Sequence, residues 1–348
     1  MAWPDRLPQI EERMITHERP ISPSRGPGPW TLVLAAGDGS RLNALTRGPS
    51  GECIPKQFCS LREGPSLLQQ ALGRAARVAV QERVCAVVAE KHRCWWRPSL
   101  QSLCRSNVIV QPRNCGTAIG LLLALLCIVE RDPDASLVIL PSDHHVGGED
   151  LLTQALRNAI EQLTWRFDET MLLGFAPEQS DAELGYIVPG EIDGHGAWHV
   201  EQFIEKPPLS VARELIGRGA LWNSFIVVAH AAALMSLYRR RIPHIVADMR
   251  TALQEDRAQQ GSKALRELYE RLPSLDFSRH ILQGQQDRLR VLPVPHCGWS
   301  DLGTPSRVAE ALGRAATPAG ASKRSDPAPQ GGYLNLAAQF EALRANPR

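Results

Sequence analysis

Leu32-Val-Leu-Ala-Ala-Gly-Asp-Gly-Ser-Arg-Leu42, with Lys56 a short loop beyond it, is the stretch that decides how the rest of the chain is read. The apolar run at 31–36 predicts a short buried strand. That strand leads straight into Gly37 and Gly39, and Arg41 follows. Glycine lets the backbone turn sharply and brings N–H groups close to an anion with no Cβ in the way. Arg41 adds a planar fork of donors suited to phosphate oxygens. A polyphosphate held at the carboxyl end of the first strand would need this set of groups. An ordinary turn into a helix, with an arginine on its surface, has the same glycine pattern, so the motif alone does not separate the two.

Working outward, composition narrows the classes. The chain has 348 residues, 43% of them hydrophobic, enough for one large core. Its 39 basic and 37 acidic side chains leave a net charge of +2. Such a balance carries no electrostatic footprint for nucleic acid or an anionic membrane, so neither is expected as a partner. The eight cysteines include no C-x-x-C pair, which argues against a zinc site or a disulfide framework and for reduced thiols in a cytoplasmic protein. The first apolar run begins only at Trp30, so no secretory signal is expected. The longest, at 119–129, is too short to span a bilayer and predicts a buried helix.

Short apolar strands are expected at 31–36, 84–88, 108–110, 137–140 and 171–175, with helices at 66–78, 95–103, 117–130 and 150–163 between them. This alternation predicts an α/β fold, a mixed, mostly parallel sheet flanked by helices. In such sheets ligands sit beyond the carboxyl ends of the strands. The second half is more mixed, with strands at 185–188, 200–203, 224–228 and 289–293. Helices are expected at 209–217, at 231–271 with breaks near Pro243 and the polar run 254–262, and at 305–314. Residues 1–29, with six prolines and no period, read as a flexible leader. Residues 315–348 read as a flexible tail with a short helix at 334–343.

Further polar signals fall where such a sheet would use them. Lys56 lies between Pro55 and Phe58, which pin it as a second point charge on phosphates. Gln111-Pro-Arg-Asn-Cys-Gly-Thr-Ala118 links a strand to the apolar helix; Asn114 or Thr117 serves there as a helix cap or as a contact for a flat polar ligand such as a base edge. Asp143, in Pro-Ser-Asp-His, follows the fourth strand, where a carboxylate suits Mg²⁺ or caps the next helix. Asp301, in Gly-Trp-Ser-Asp-Leu-Gly-Thr, is a second carboxylate that folding would have to bring alongside the first. His144 and His145 read as supporting residues. Phe203-Ile-Glu-Lys-Pro207 offers Lys206 to a substrate phosphate and Glu205 to sugar hydroxyls, or forms a surface ion pair. Gly185, Tyr186 and Asn223 supply close approach, an aromatic wall and an amide.

Taken in order, ten pieces resemble the sugar-1-phosphate nucleotidyltransferases, in particular the mannose-1-phosphate guanylyltransferase branch: A-A-G-D-G-S-R-L, P-K-Q-F, S-L-L-Q, P-R-N, L-P-S-D-H, L-G-Y-I, F-I-E-K-P, L-W-N-S, S-L-D-F and G-W-S-D-L-G-T. The resemblance implies a Rossmann-like nucleotide-diphospho-sugar transferase fold over residues 30–314. It implies transfer of a nucleoside monophosphate from an NTP, GTP in that branch, to a sugar-1-phosphate, with release of pyrophosphate and use of Mg²⁺. In that reading Arg41, Lys56 and Lys206 act on the phosphates. Ala35, Ala36, Gly37, Gly39, Gln111, Asn114, Gly116 and Thr117 hold the nucleotide. Gly185, Tyr186, Glu205 and Asn223 hold the sugar phosphate, and Asp143 and Asp301 the metal. A homodimer is left open. The chain departs from the branch at Ala35-Ala36, where Gly-Gly is usual, at Asn43 and Ala44, which replace a proline-bearing turn, and at Phe225, which replaces a glycine after Trp-Asn-Ser.

Overall fold

A computed structural model describes residues 28–314 and 333–345. The expected leader up to residue 27, and the stretch 315–332, lie outside the described residues. Nine strands are found among them: β1 (Trp30–Ala35), β2 (Val84–Ala89), β3 (Val108–Gln111), β4 (Ser136–Pro141), β5 (Thr170–Phe175), β6 (Gly185–Ile192), β7 (Trp198–Glu205), β8 (Leu221–His230) and β9 (Leu289–Val294). They make one sheet in the order β3-β2-β1-β4-β8-β5-β9-β7-β6.

The first half of this sheet is parallel: β2 and β4 flank β1, and β3 follows β2. The second half is mixed. β8 runs antiparallel to β4, β5 and β6, while β5 and β9 pair in parallel. The antiparallel share exceeds what strand–helix alternation alone suggests, because β8 enters the sheet against β4, β5 and β6, and β6 and β7 form a hairpin that has no helix between its strands.

Side chains alternate across the sheet and feed two cores. Leu32, Leu137 and Ile139 face one side, and Val33, Val138 and Leu140 the other. On the first side lies helix Gly116–Arg131, whose buried run Ile119–Leu126 packs on β1 and β3. Each fully buried aliphatic side chain there contributes about 1.5–3 kcal/mol. On the second side lie helices Leu67–Ala75 and Glu149–Gln162. The motif Ser-Leu-Leu-Gln explains where the former begins: Ser66 Oγ accepts from Gln69 N, and Gln69 Oε1 accepts from Ser66 N, a reciprocal cap.

One helix differs from expectation. The segment at 95–103 is helical only over Arg93–Ser99. Pro98 brings no N–H to continue the ladder, and Leu100 is buried in the turn that follows. A third, smaller core lies beneath the glycine loop. Leu42, Leu45, Cys59 and Leu61 meet Leu302 and Val308 there, and Leu336 of helix Leu336–Ala345 closes it.

Candidate functional site

The carboxyl ends of β1 and β4 carry the two loops that build the site. Gly39 sits at φ 64°, in the left-handed region that glycine adopts freely. A Cβ there would stand 2.9 Å from Lys56 N, so the glycine loop and the lysine segment touch through backbone. Gln57 fastens them. Its buried side chain donates to the Ala35 carbonyl at 3.1 Å and the Gly37 carbonyl at 2.8 Å. Lys56 is thereby committed to the loop end of β1. It is itself 5% exposed, unlike an ordinary surface lysine.

Lys56 Nζ lies 3.1 Å from Asp143 Oδ2 and donates to the Asp301 carbonyl at 2.6 Å and the Leu302 carbonyl at 3.2 Å. Three motifs far apart in sequence converge on one ammonium. Asp143 and Asp301 are brought together by a two-way backbone bridge, His145 N to Ser300 O at 2.8 Å and Ser300 N to His145 O at 2.9 Å. The Cys297 carbonyl reinforces it by accepting from Gly147 N and Gly148 N.

Asp143 keeps 37% of its side chain in solvent. Burial pushes its carboxyl up, but Lys56 and His144 outweigh that and hold it below the ordinary range. Asp301 is buried. Burial raises its carboxyl too, and Arg307, with His144 and Lys56, more than offsets this. His144 accepts from Trp299 Nε1 at 3.2 Å, and burial pushes its imidazole down to about 4 despite the nearby carboxylates. It is a neutral supporting ring at pH 7.

The two carboxylates fit a hard divalent ion. Lys56 pairs with the Asp143 carboxylate and with the backbone of Asp301, and Asp143 is the more accessible of the two carboxylates, 37% exposed against 10%. Among the described residues no group of three or more His, Cys, Asp or Glu side chains could hold a metal. A donor set this sparse suits Mg²⁺, which takes one or two carboxylates and completes its shell with water and phosphate oxygens.

A second group gathers where β6, β7 and β8 meet. Gly185 pairs with both Glu205 and Asn223 in the sheet, and a Cβ on it would run into the Glu205 carboxylate. Glu205 Oε2 is buried with no hydrogen-bond partner, an acceptor that a ligand hydroxyl would satisfy. Burial, reinforced by Asp276, raises the Glu205 carboxyl to about 7. Asn223 Nδ2 donates to Ser278 Oγ at 3.0 Å. Tyr186 is buried and holds the 181 turn through its hydroxyl, accepting from Asp181 N at 2.8 Å, so it is a structural post rather than an open wall. Lys206 and Phe225 both have positive φ, 51° and 60°. Phe225, which stands where the resemblance has a glycine, thus holds a left-handed backbone at a cost of order 1 kcal/mol.

The Gln111–Thr117 turn has structural duties. Gln111 is buried and accepts from the Tyr269 hydroxyl at 3.3 Å. Gly116 sits at φ 85°, where a Cβ would strike the Leu275 backbone. Thr117 Oγ1 accepts from Phe277 N at 2.8 Å, and Asn114 Oδ1 accepts from Gly116 N at 2.9 Å. Thr117 therefore braces the loop that carries Ser-Leu-Asp-Phe, beside Ser278, while Asn114 closes its own turn.

Sequence reasoning passed over Arg307, Asp181, Glu183 and Gln57. Arg307 bridges Asp301 and Asp181, and Arg41 Nη1 pairs with Glu183 Oε2 at 2.6 Å. Only Gln57 carried a local signal, its place inside Pro-Lys-Gln-Phe.

A loop of this kind at the end of β1, an ammonium shared by two aspartate turns, and the mixed sheet beneath them define a class. The chain belongs to the nucleotidyl transferase family, whose model matches residues 30–317. It is 28% identical over 279 residues to the mannose-1-phosphate guanylyltransferase RfbM of Salmonella typhimurium (strain LT2), covering 78% of this chain and 56% of that protein. To the mannose-1-phosphate guanylyltransferase of Escherichia coli (strain K12) it is 27% identical over 285 residues, covering 79% and 58%. The chain thus spans under three-fifths of the length of these relatives. A crystal structure from Thermus thermophilus, described as a mannose-1-phosphate geranyltransferase, superposes with TM-score 0.69 at 28% identity, covering 82% of this chain and 79% of that one. UDP-glucose pyrophosphorylase complexed with UDP-glucose shares the fold at TM-score 0.54 and 15% identity, covering 83% and 98%. No helix among the described residues is long and apolar enough to cross a membrane.

Proposed function

We propose that this chain transfers the nucleoside monophosphate of an NTP to a sugar-1-phosphate, releasing pyrophosphate, and that GTP and mannose-1-phosphate are its substrates. The observation that carries this reading is the Lys56 ammonium, held at one point by the Asp143 carboxylate and by the backbone of the Asp301 turn. A sugar phosphate oxygen attacks the α-phosphorus in line while the bond to pyrophosphate breaks. The attacking group is already anionic at neutral pH, so the chain's task is to bring two anions together and stabilise charge on the transferring phosphoryl group. Arg41 and Lys56 take the triphosphate, and Lys206 the sugar phosphate. Glu205, Asn223 and the bare Gly185 take sugar hydroxyls. Mg²⁺, held by Asp143 and Asp301, would supply further positive charge to the phosphates.

The substrate pair rests on the guanylyltransferase relatives. The test is pyrophosphate release from each of the four main NTPs with Mg²⁺ against a panel of sugar-1-phosphates. Release with GTP and mannose-1-phosphate supports both halves of the reading. Release with another pair keeps the chemistry and discards the substrates. Nucleotide binding with no release from any pair would leave a sugar-nucleotide sensor instead.

A further inference from the structure

The second carboxylate of the candidate metal pair already has a cation. Arg307, in the first turn of helix Pro305–Arg314, is 6% exposed, and its guanidinium forms ion pairs with Asp301 on one arm and Asp181 on the other. Asp301 Oδ1 accepts from Arg307 Nη1 and also from Gly303 N at 3.1 Å. The nearby ammonium of Lys56 spends its bonds on the backbone of Asp301 and on the carboxylate of Asp143. The two aspartates are thus divided between two protein cations, Lys56 for Asp143 and Arg307 for Asp301. They are not equally accessible. Asp143 has 37% of its side chain in solvent and Asp301 only 10%.

We propose that Arg307 is a positioning residue that withholds Asp301 from divalent cations in the substrate-free protein, so that Asp143 alone offers them a carboxylate until nucleotide phosphates arrive. The inference rests on the metal reading given above. A guanidinium forked between the buried Asp301 and the partly buried Asp181 is a strong, geometrically specific partner. A hydrated divalent ion must break that pairing to reach Asp301, and it sheds water reluctantly unless several oxygens are offered together. Nucleotide phosphates offer them and also bring negative charge that stabilises the released arginine. Arg307 thereby couples metal capture to nucleotide capture, and the metal arrives with its substrate rather than before it.

The test uses the full chain with Mn²⁺ as the probe, its free concentration read by electron paramagnetic resonance in the absence of nucleotide. Wild type binds Mn²⁺ weakly, and Asp143→Asn weakens it at least tenfold further, whereas Asp301→Asn stays within threefold of wild type. Asp181→Asn/Arg307→Met frees Asp301 while conserving local net charge, and it tightens Mn²⁺ binding about tenfold. Arg307→Met alone tightens it at least as much. An Asp301→Asn loss equal to that of Asp143→Asn overturns the proposal, and this arm does not depend on the Arg307 variants folding. Tightening in Arg307→Met but not in the charge-conserving pair also overturns it, by showing an effect of net charge alone. If Mn²⁺ binds neither with nor without GTP, the metal reading itself fails and the proposal falls with it.

Discussion

Lys56 Nζ stands 3.1 Å from Asp143 Oδ2 and, in the same position, 2.6 Å from the carbonyl oxygen of Asp301. A single ammonium therefore ties the loop after β1 to the loop after β4 and to the turn that precedes the last large helix of the domain. Lys56→Met removes the charge and leaves the buried Asp301 and Leu302 carbonyls without that donor. We expect a loss of about 2 kcal/mol in urea unfolding, since hydrogen bonds to charged groups are worth about 1.5–3 kcal/mol. The double variant Lys56→Met/Asp143→Asn should lose less than the sum of its singles, because the two residues are in contact. Additive losses would show that the pair is not coupled.

The neighbouring loop makes a second prediction. Arg41 is half-exposed and pairs with Glu183 at 2.6 Å. A phosphate competing for Arg41 must displace that carboxylate. Glu183→Gln should lower the KM for NTP roughly two- to fivefold with kcat little changed, the scale of an exposed ion pair. A raised KM would mean that Glu183 orients Arg41 for the nucleotide rather than competing with it.

These contacts mark the limit of what was legible in the sequence. The strands announced themselves through buried apolar runs such as Leu32–Leu34 and Leu137–Leu140, because burial on both faces leaves a plain local signature, whereas their order in the sheet did not. Asp143, Lys56 and Asp301 could each be picked out because each sits in a glycine- or proline-marked turn, but their meeting at one ammonium could not. Arg307 and Glu183 were not legible. An arginine in a helix and a glutamate in a polar turn look like solvated charges until the fold sets Asp301 and Arg41 beside them. Nor did the sequence show that the Tyr186 hydroxyl is bound to Asp181 or that Gln111 accepts from Tyr269. Their burial depends on long-range packing and leaves no local mark.

A pH dependence follows from Glu205. Burial and Asp276 raise its carboxyl from 4.5 to about 7, so it gains its charge only as the pH passes neutrality. The folded chain binds the extra proton between those two values, so this group's contribution to stability falls as the pH rises through that window. If Glu205 accepts sugar hydroxyls, ionisation strengthens the contact. The KM for sugar phosphate should fall severalfold between pH 6 and 8, and Glu205→Gln should remove the part of that change not owed to the phosphate's own ionisation. An identical profile in wild type and variant would take Glu205 out of the sugar site.

Gly39→Ala tests how tightly the two phosphate loops are fitted. The left-handed backbone costs an alanine about 1 kcal/mol, and its Cβ would press on Lys56 N. We expect a stability loss of about 1–3 kcal/mol together with a KM for NTP raised about tenfold or more, since the methyl group displaces Lys56. A stability loss with unchanged KM would show that the loop yields without moving the lysine.

The most direct measurement is the rate of pyrophosphate release with GTP, mannose-1-phosphate and Mg²⁺, compared between wild type and two variants, Arg41→Ala and Lys56→Met, each first shown to be folded. We expect steady release by wild type and rates lower by on the order of 10² or more in both variants, the scale of losing one preorganised donor. Release by either variant within threefold of wild type would contradict the role given to these two cations.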